Sequence, residues 1–466
     1  MQIPIVSGIY TDTVADFRTS YPRNLVPVPK EQGVSHGYLR PAEGIVQFCA
    51  VPWIDRGGIN WNGKLYRVCG TKLVSISEFG VVTELGDVGP GGQVTFDYSF
   101  DRLAVSSGGR FYYYNGSTLT KVTDPDLGQV IDFVWIDGYF MTTDGNSLIV
   151  TELNDPFAVN PFKYGSSEAD PDPVKGLIKL RNEVYALNRY TIEVFQNVGG
   201  DTFPFSRVEG AQMQRGAIGT YCAAMFLESI AFLGGGRNEA PAVWLGQNSS
   251  TVKISTREID QILLTYTEAQ LSTVVMEVRI TKGHQLLYIH FPDQTWVYDG
   301  AASQVLGEPV WFQLTSSVIG NATYKAKNFV YVYNKWISGD PIYPRLGYFV
   351  DNISSHYGEI NGWDFGTTII YNEGRGAIFN ELELVCLTGR IAGDTDPTIW
   401  TNYSVDGLKW SQEKPRSAGK KGQTMKRITW FQQGHMRNFR IQRFRGTSDA
   451  HISIARLEAT LEALNV

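Results

Sequence analysis

Cysteine is scarce in this chain. Four stand in 466 residues (Cys49, Cys69, Cys222, Cys386), and none forms a C-x-x-C pair. That scatter excludes a disulfide framework and a cysteine-based zinc site, and the four read as reduced core thiols of a protein folded in a cytosol. Histidine is equally thin. His36, His284, His290, His356, His435 and His451 have no partner at ligand spacing, so neither a metal nor another cofactor is expected. There is no G-x-S-x-G elbow, P-loop or H-E-x-x-H, which removes the commonest signatures of hydrolase, nucleotide and metalloprotease chemistry. No apolar run approaches the roughly 20 residues of a membrane span. The opening MQIPIVSGIY lacks the basic and apolar regions of a secretory leader. Charged residues are 19% with a net charge of −6, which excludes an overall basic nucleic-acid binder but not a local basic patch.

What the chain does have is rings and turns. Aromatics make up 13% and there are 48 glycines, a mixture that favours many short strands over helices. The stretch Ile59 to Ser77 shows the unit. Asn62-Gly63 supplies the positive φ angles of a type I′ hairpin turn, and Cys69-Gly70-Thr71-Lys72 makes a second turn before Leu73, Val74 and Ile76. Both faces of the hairpin carry apolar residues, so it is expected to be buried in a larger all-β body. Arg67 is out of place there and predicts a salt bridge or an inter-subunit contact. Strand cores of this kind recur at Leu65, Leu103, Tyr139, Val184, Ile230, Leu286 and Val330, 36 to 56 residues apart. Hairpin signals accompany them, among them Asn115-Gly116, Asp137-Gly138, Gly234 to Gly236 and Lys282-Gly283. Several strands per repeat at this period mark a β-propeller, because one blade cannot bury its own faces and stacked blades can. A pair of β-sandwiches is the competing architecture.

The expected fold is therefore all-β: an irregular β-propeller of six or seven blades over 46–350, with an antiparallel β-sandwich over 351–466. Residues 1–45, punctuated by Pro4, Pro22, Pro27, Pro29 and Pro41, read as an extended N-terminal arm lying on a neighbour or on its own domain. One excursion breaks the β texture. Ser255 to Leu264 predicts a helix with Ile259, Ile262 and Leu263 on one face, and Thr267 with Gln270 predicts a capped second one. In the C-terminal region the strands expected are Phe379 to Gly389, Thr398 to Tyr403, Met425 to Phe431, Phe439 to Phe444 and Ile452 to Leu457.

No constellation carries obvious catalysis. Glu168-Ala169-Asp170-Pro171-Asp172-Pro173 is acidic but too short of ligands for a calcium loop, and reads as a solvated linker. Ser404-Val405-Asp406-Gly407-Leu408-Lys409-Trp410 resembles the Asp-box turn of sialidase-type propellers, which is a structural hairpin. The strongest charge feature runs from Ser411 to Gly446. There Lys414, Arg416, Lys420, Lys421, Lys426, Arg427, Arg437, Arg440, Arg443 and Arg445 face a single acid, Glu413. Lys420, Lys421, Arg437, Arg440, Arg443 and Arg445 are the candidate interface residues, for DNA phosphates or an acidic partner. The alternative is a solvated sheet face whose long stems cover apolar neighbours.

Several stretches taken together carry a resemblance. They are Gly37-Tyr38-Leu39-Arg40-Pro41-Ala42-Glu43-Gly44-Ile45, Tyr66-Arg67-Val68-Cys69-Gly70-Thr71-Lys72-Leu73 and Arg215-Gly216-Ala217-Ile218-Gly219-Thr220-Tyr221-Cys222. Tyr266-Thr267-Glu268-Ala269-Gln270-Leu271, then His284 to Pro292 with Val297-Tyr298-Asp299, follow in order. In sequence and spacing they resemble the packaged-DNA-stabilisation proteins of short-tailed bacteriophages, the tail hub or nozzle family. The match weakens through Asp351 to Gly358. The resemblance implies a virion tail component, made in the host cytoplasm, that follows the portal and adaptor and closes or extends the DNA channel after packaging. It further implies a hexamer, a β-propeller domain, attachment of tail needle and tailspikes, packaged DNA passing through the channel, and no catalytic residues. Two readings compete with it: a propeller glycosidase or depolymerase acting on host polysaccharide, which needs a carboxylate pair at a propeller mouth, and a monomeric sugar-binding propeller using exposed rings.

Overall fold

Asn62 and Gly63 both take positive φ, 50° and 73°, and turn the strand Asp55–Trp61 into Lys64–Cys69. Asp137-Gly138 and Lys282-Gly283 make the same turn in later repeats. Two repeats make it without glycine, at Leu227-Glu228 and Tyr333-Asn334, where all four residues are left-handed. The computed structural model describes residues 2–3, 9–10, 19–30, 37–153, 155–247, 249–391 and 395–464. The Pro4 and His36 of the sequence reading lie outside them.

Among the described residues the repeats form seven antiparallel sheets: blade 1 (55–87), blade 2 (95–121), blade 3 (132–166), blade 4 (174–207), blade 5 (216–253), blade 6 (275–314) and blade 7 (327–350 with 44–50). Their inner strands touch in order, blade 7 returning to blade 1, and so close a ring. The chain is a seven-bladed β-propeller followed by a β-sandwich. Blade 7 is completed from the other end of the chain. Gly44–Ala50 pairs antiparallel with Arg345–Val350, from Gly44 opposite Val350 to Ala50 opposite Arg345. Opening the ring therefore breaks a whole ladder, which couples N-terminal and late blades in one cooperative unit.

Buried and half-buried acids stitch neighbouring blades. Asp97 Oδ2 accepts from Trp135 N at 2.7 Å, Asp132 Oδ2 from Leu177 N at 2.8 Å, and Glu277 from Asn328 N and Phe329 N at 2.9 and 2.6 Å. Each satisfies backbone donors that a blade edge leaves open. Burial pushes the Asp132 carboxyl up to about 6. The seam between blades 7 and 1 uses Arg67, which is wholly buried. Its Nη1 lies 2.9 Å from Asp55 Oδ2, and Nη2 donates to the carbonyls of Asn328 and Ile337 at 2.9 and 3.1 Å. Asn328 Nδ2 donates to the same Asp55 oxygen at 2.7 Å. The odd residue of the opening hairpin is thus a salt bridge within one chain.

The helical excursion forms as expected. Arg257–Leu263 buries Ile259 and Leu263, and Thr267 caps Glu268–Leu271 in a reciprocal box with Gln270. Gly234 and Gly235 are not in a turn. They lie in the strand Ser229–Gly235, where a side chain at Gly234 would strike the Gly216 carbonyl of the neighbouring strand. Close backbone approach is the other reason a strand keeps glycine.

The N-terminal segment lies along its own chain. Leu25–Pro29 and Gly37–Pro41 pair with each other, and Leu39 opposite Ile454 joins them to the sandwich. Leu25–Pro29 is an edge strand, where prolines cost no ladder bond. Residues before it fasten the two domains together. Arg23 pairs with Asp364 at 2.9 Å. The Asn24 side chain donates to the carbonyls of Thr315 and Gly362 at 3.0 and 2.7 Å, and accepts from Thr315 N.

The junction also holds a buried histidine. His356 Nδ1 lies 2.8 Å from Ser316 Oγ, and its ring packs edge-on to Tyr324. Burial, then nearby Lys325, pulls its pKa down to about 3. The unfolded chain takes up a proton below the usual 6.5 and the folded chain does not. Stability therefore falls as pH drops from 6.5 toward 3, by about 1.4 kcal/mol per unit. Between pH 7.5 and pH 5 this one group is expected to cost about 2 kcal/mol. Urea unfolding at both pH values, with His356→Gln losing that share of the difference, checks it; an unchanged pH dependence in the variant contradicts it.

Candidate functional site

The basic run lies in the C-terminal sandwich. One sheet holds Leu25–Pro29, Gly37–Pro41, Ser453–Ala463, Ala377–Leu387 and Ile428–Phe431; the facing sheet holds Gly362–Gly366, Phe439–Thr447, Thr398–Ser404 and Lys414–Ser417. Between them pack Leu25, Leu39, Trp363, Phe379, Trp430 and Phe444. In Phe439–Thr447 alternation divides the arginines. Arg443 and Arg445 face outward, whereas Arg440, Gln442 and Phe444 point inward.

Arg440 is therefore withdrawn as an interface residue. It is 0% exposed, with its guanidinium 4.0 Å from the Phe379 ring centre and 3.8 Å from that of Tyr403. It donates to the Gln433 carbonyl at 2.6 Å and to Gln442 Oε1 at 2.7 Å. Among the described residues no carboxylate partners it, and burial pulls its pKa down to about 9. Its equal parity with Phe444 was the signal available in the sequence; the interleaving of charge and ring obscured it.

The outward arginines are half-buried and paired across the sheet. Arg443 meets Asp364 at 3.0 Å and lies over Trp410. Arg445 forms a two-pronged pair with Glu413 and stacks on Trp400 at 4.5 Å. Arg427 reaches Glu383 on the other sheet. Much of the apparent excess of positive charge is thus met by acids distant in sequence. Arg437, Lys420 and Lys421 are exposed. The two lysines lie in the loop 418–427, which carries Met425, 94% exposed. The sequence reading placed Met425 at the start of a strand to Phe431; the strand observed is Ile428–Phe431, and Met425 stands before it in the loop.

The shorter motifs resolve as ties. Ser404 bridges to Trp410, and Asp406 Oδ1 accepts from Leu408 N and Lys409 N at 2.9 and 2.8 Å, so the Asp-box-like stretch is a hairpin turn. In the acidic run, Asp170 pairs with Arg237 at 2.7 Å and Asp172 accepts from Tyr190 N and Thr191 N.

The propeller axis is the other place where a site is usually sought. Here side chains cross it. The Tyr221 hydroxyl of blade 5 donates to the Gln93 carbonyl at the entry to blade 2, at 3.0 Å, and Gln93 Nε2 donates to Asn328 Oδ1 of blade 7. Burial pushes the Tyr221 phenol far up. A cavity of about 190 Å³ remains at one end, lined by Asp55, Arg56, Gln93, Lys327, Asn328 and Asp340. The axis of one chain is closed at this level and offers no passage to a polymer.

Comparison with known proteins agrees with this anatomy. The family described as "Bacteriophage P22 Gp10, beta-propeller" matches residues 1–354, and the one described as "Bacteriophage P22 Gp10, beta-sandwich" matches 362–462. The tail hub protein gp10 of Salmonella phage P22 is 28% identical over 483 residues, covering 99% of both chains. Among solved structures, the WD40 domain of Neurospora crassa Pan2 is 11% identical with a TM-score of 0.41, over 66% of this chain and 95% of that one. PorZ, a surface component of the type-IX secretion system of Porphyromonas gingivalis, is 11% identical with a TM-score of 0.40, over 80% of this chain and 46% of that one. Through both of its domains, propeller and sandwich, the chain belongs to the Bacteriophage P22 Gp10 family.

Proposed function

We propose that the chain is a structural component of a phage tail, a hub carried in the virion and made in the host cell. The observation that carries this is the end-to-end match, through both domains, to a tail hub protein. In this reading the chains form a ring, a hexamer, below the portal and adaptor. The ring closes or extends the DNA channel after packaging and holds the tail needle and tailspikes. The closed axis of the single propeller favours such a ring, since DNA then passes between chains. No catalytic role is proposed: the acids on the inner strands of the propeller are engaged in joining blades.

A channel wall that lets DNA slide should carry little positive charge, because clustered cations hold phosphates and release counterions. The net charge of −6 suits such a wall. The purified chain is therefore expected to bind duplex DNA no tighter than the non-specific range of about 10⁻⁴–10⁻⁶ M at physiological salt. Electrophoretic mobility shift measures this, and nanomolar binding would sink the sliding-wall reading. The role itself is tested with DNA-filled heads assembled without this chain. They should be nuclease-sensitive and become protected when purified protein is added; heads that keep their DNA equally well without it would refute the role.

A further inference from the structure

Two exposed patches, one on the sandwich and one on blade 3, have complementary chemistry. The first is the free edge of the sandwich. Lys414–Ser417 and Ile428–Phe431 are the last strands of their sheets and lie side by side, joined by the loop 418–427. On this edge Lys420, Lys421 and Arg416 are exposed beside Met425 and Phe431, 94% and 58% exposed. Arg416 donates only to the carbonyls of Thr429 and Pro415. Among the described residues the acids beside them are Asp396, which accepts from Ser417 Oγ and is held low by that bond with Lys426 and Lys420 nearby, and Glu381 and Glu383, which Arg427 meets. The edge keeps a positive excess beside two exposed apolar side chains, Met425 in the loop and Phe431 at the far end of its strand.

The second patch is the outer strand of blade 3, Asp155–Ser166. It is an edge strand whose pairing slips twice, and it presents Phe157, Phe162 and Tyr164, with Phe162 82% exposed. Acids crowd it. Asp124 Oδ2 accepts from Val159 N, the Tyr164 hydroxyl donates to the Asp126 carbonyl, and Asp155 is exposed at the strand's start. Burial, then the carboxylates of Asp126, Asp144 and Asp124, push the Tyr164 phenol up. The cations here are engaged: Arg102 lies over the Phe157 ring and pairs with Asp101, and Lys163 pairs with Glu152, so the patch is an apolar centre with Asp124, Asp126 and Asp155 around it.

The sandwich is fastened to the end of blade 6 through Asn24 and Arg23, and blade 3 stands across the ring from it. One copy cannot bring its own two patches together, but a neighbour can. We propose that the patches are the two halves of one head-to-tail contact between copies of this chain. Met425 and Phe431 meet Phe157 and Phe162, and Lys420 and Lys421 face Asp126 and Asp155. Two different surfaces on each copy make the contact heterologous, the kind that closes into rings. Apolar centres supply the affinity, and the charged surrounds steer and register it. The inference rests on the ring reading above.

The test uses the full chain and charge exchange, read by sedimentation at physiological salt. Lys420→Glu with Lys421→Glu, and separately Asp126→Lys with Asp155→Lys, are each expected to weaken self-association about tenfold or more, since like charges then meet. One chain carrying all four substitutions restores both sides of the contact and should associate again. Unchanged thermal unfolding confirms that each variant is folded. If the wild-type chain forms rings and the pairwise variants do so equally, or the fourfold variant stays dissociated, the proposed contact is wrong while the ring stands. A wild-type chain that remains monomeric both in solution and on DNA-filled heads overturns ring and contact together.

Discussion

Replacing Arg67 with methionine is expected to destabilise the propeller by about 3–5 kcal/mol, because it leaves the buried Asp55 carboxylate without its counter-charge. The pair is 0% exposed on both sides, and the Asp55 carboxyl is already pushed up by burial. The loss should appear as early opening at the seam between blades 7 and 1. Arg67 is the side chain that reaches the Asn328 and Ile337 carbonyls from blade 1. Urea unfolding of the purified chain measures it. Adding Asp55→Asn should recover part of the loss, since removing both charges avoids the orphaned ion. A single variant within about 1 kcal/mol of wild type would mean that the ladder from Gly44 to Ala50 alone holds the ring shut.

The second large effect is expected in the sandwich. Arg440→Ala removes a guanidinium packed between Phe379 and Tyr403 and leaves the Gln433 carbonyl without its donor. Cavity and lost hydrogen bonds together should cost about 3–5 kcal/mol. Methionine, which fills the slot without a charge to bury, is expected to cost less. Hydrogen exchange in Ala377–Leu387 and Phe439–Thr447 should report the loss, while the propeller blades keep their protection. Replacement of the exposed Lys421 should leave both domains unchanged. An Arg440→Ala chain as stable as wild type would return Arg440 to the surface, where the sequence reading had placed it.

The propeller was legible because its signals are local. Asn62-Gly63, Asp137-Gly138 and Lys282-Gly283 announce their turns, and the apolar cores between them set the period. Leu227-Glu228 and Tyr333-Asn334 gave no warning, since left-handed residues with side chains are tolerated only where the surrounding ladder holds them. The closure of blade 7 by Gly44–Ala50 was hidden for another reason. It joins residues some 300 apart, and no local pattern encodes a pairing of that range. The prolines of the N-terminal segment argued against a sheet interior, and three of them stand in strands, two of these at a sheet edge. In the sandwich the charge run was plain, but its partners Asp364 and Glu383 come from other strands, and one arginine points inward. The resemblance to the phage tail family rested on stretches inside the blades, Tyr66 to Leu73 and Arg215 to Cys222 among them. They say what the body is and little about what its surface meets.

The stitching acids, the closed axis and the two complementary patches all describe a building block. The most direct measurement of that claim is an image of DNA-filled particles assembled without this chain and then supplied with the purified, labelled protein. The account predicts a single ring of copies at the one vertex through which DNA leaves, with the propeller axes beside the channel and the DNA passing between chains. Label spread over the capsid, single copies at the vertex, or DNA running through an individual propeller would contradict it.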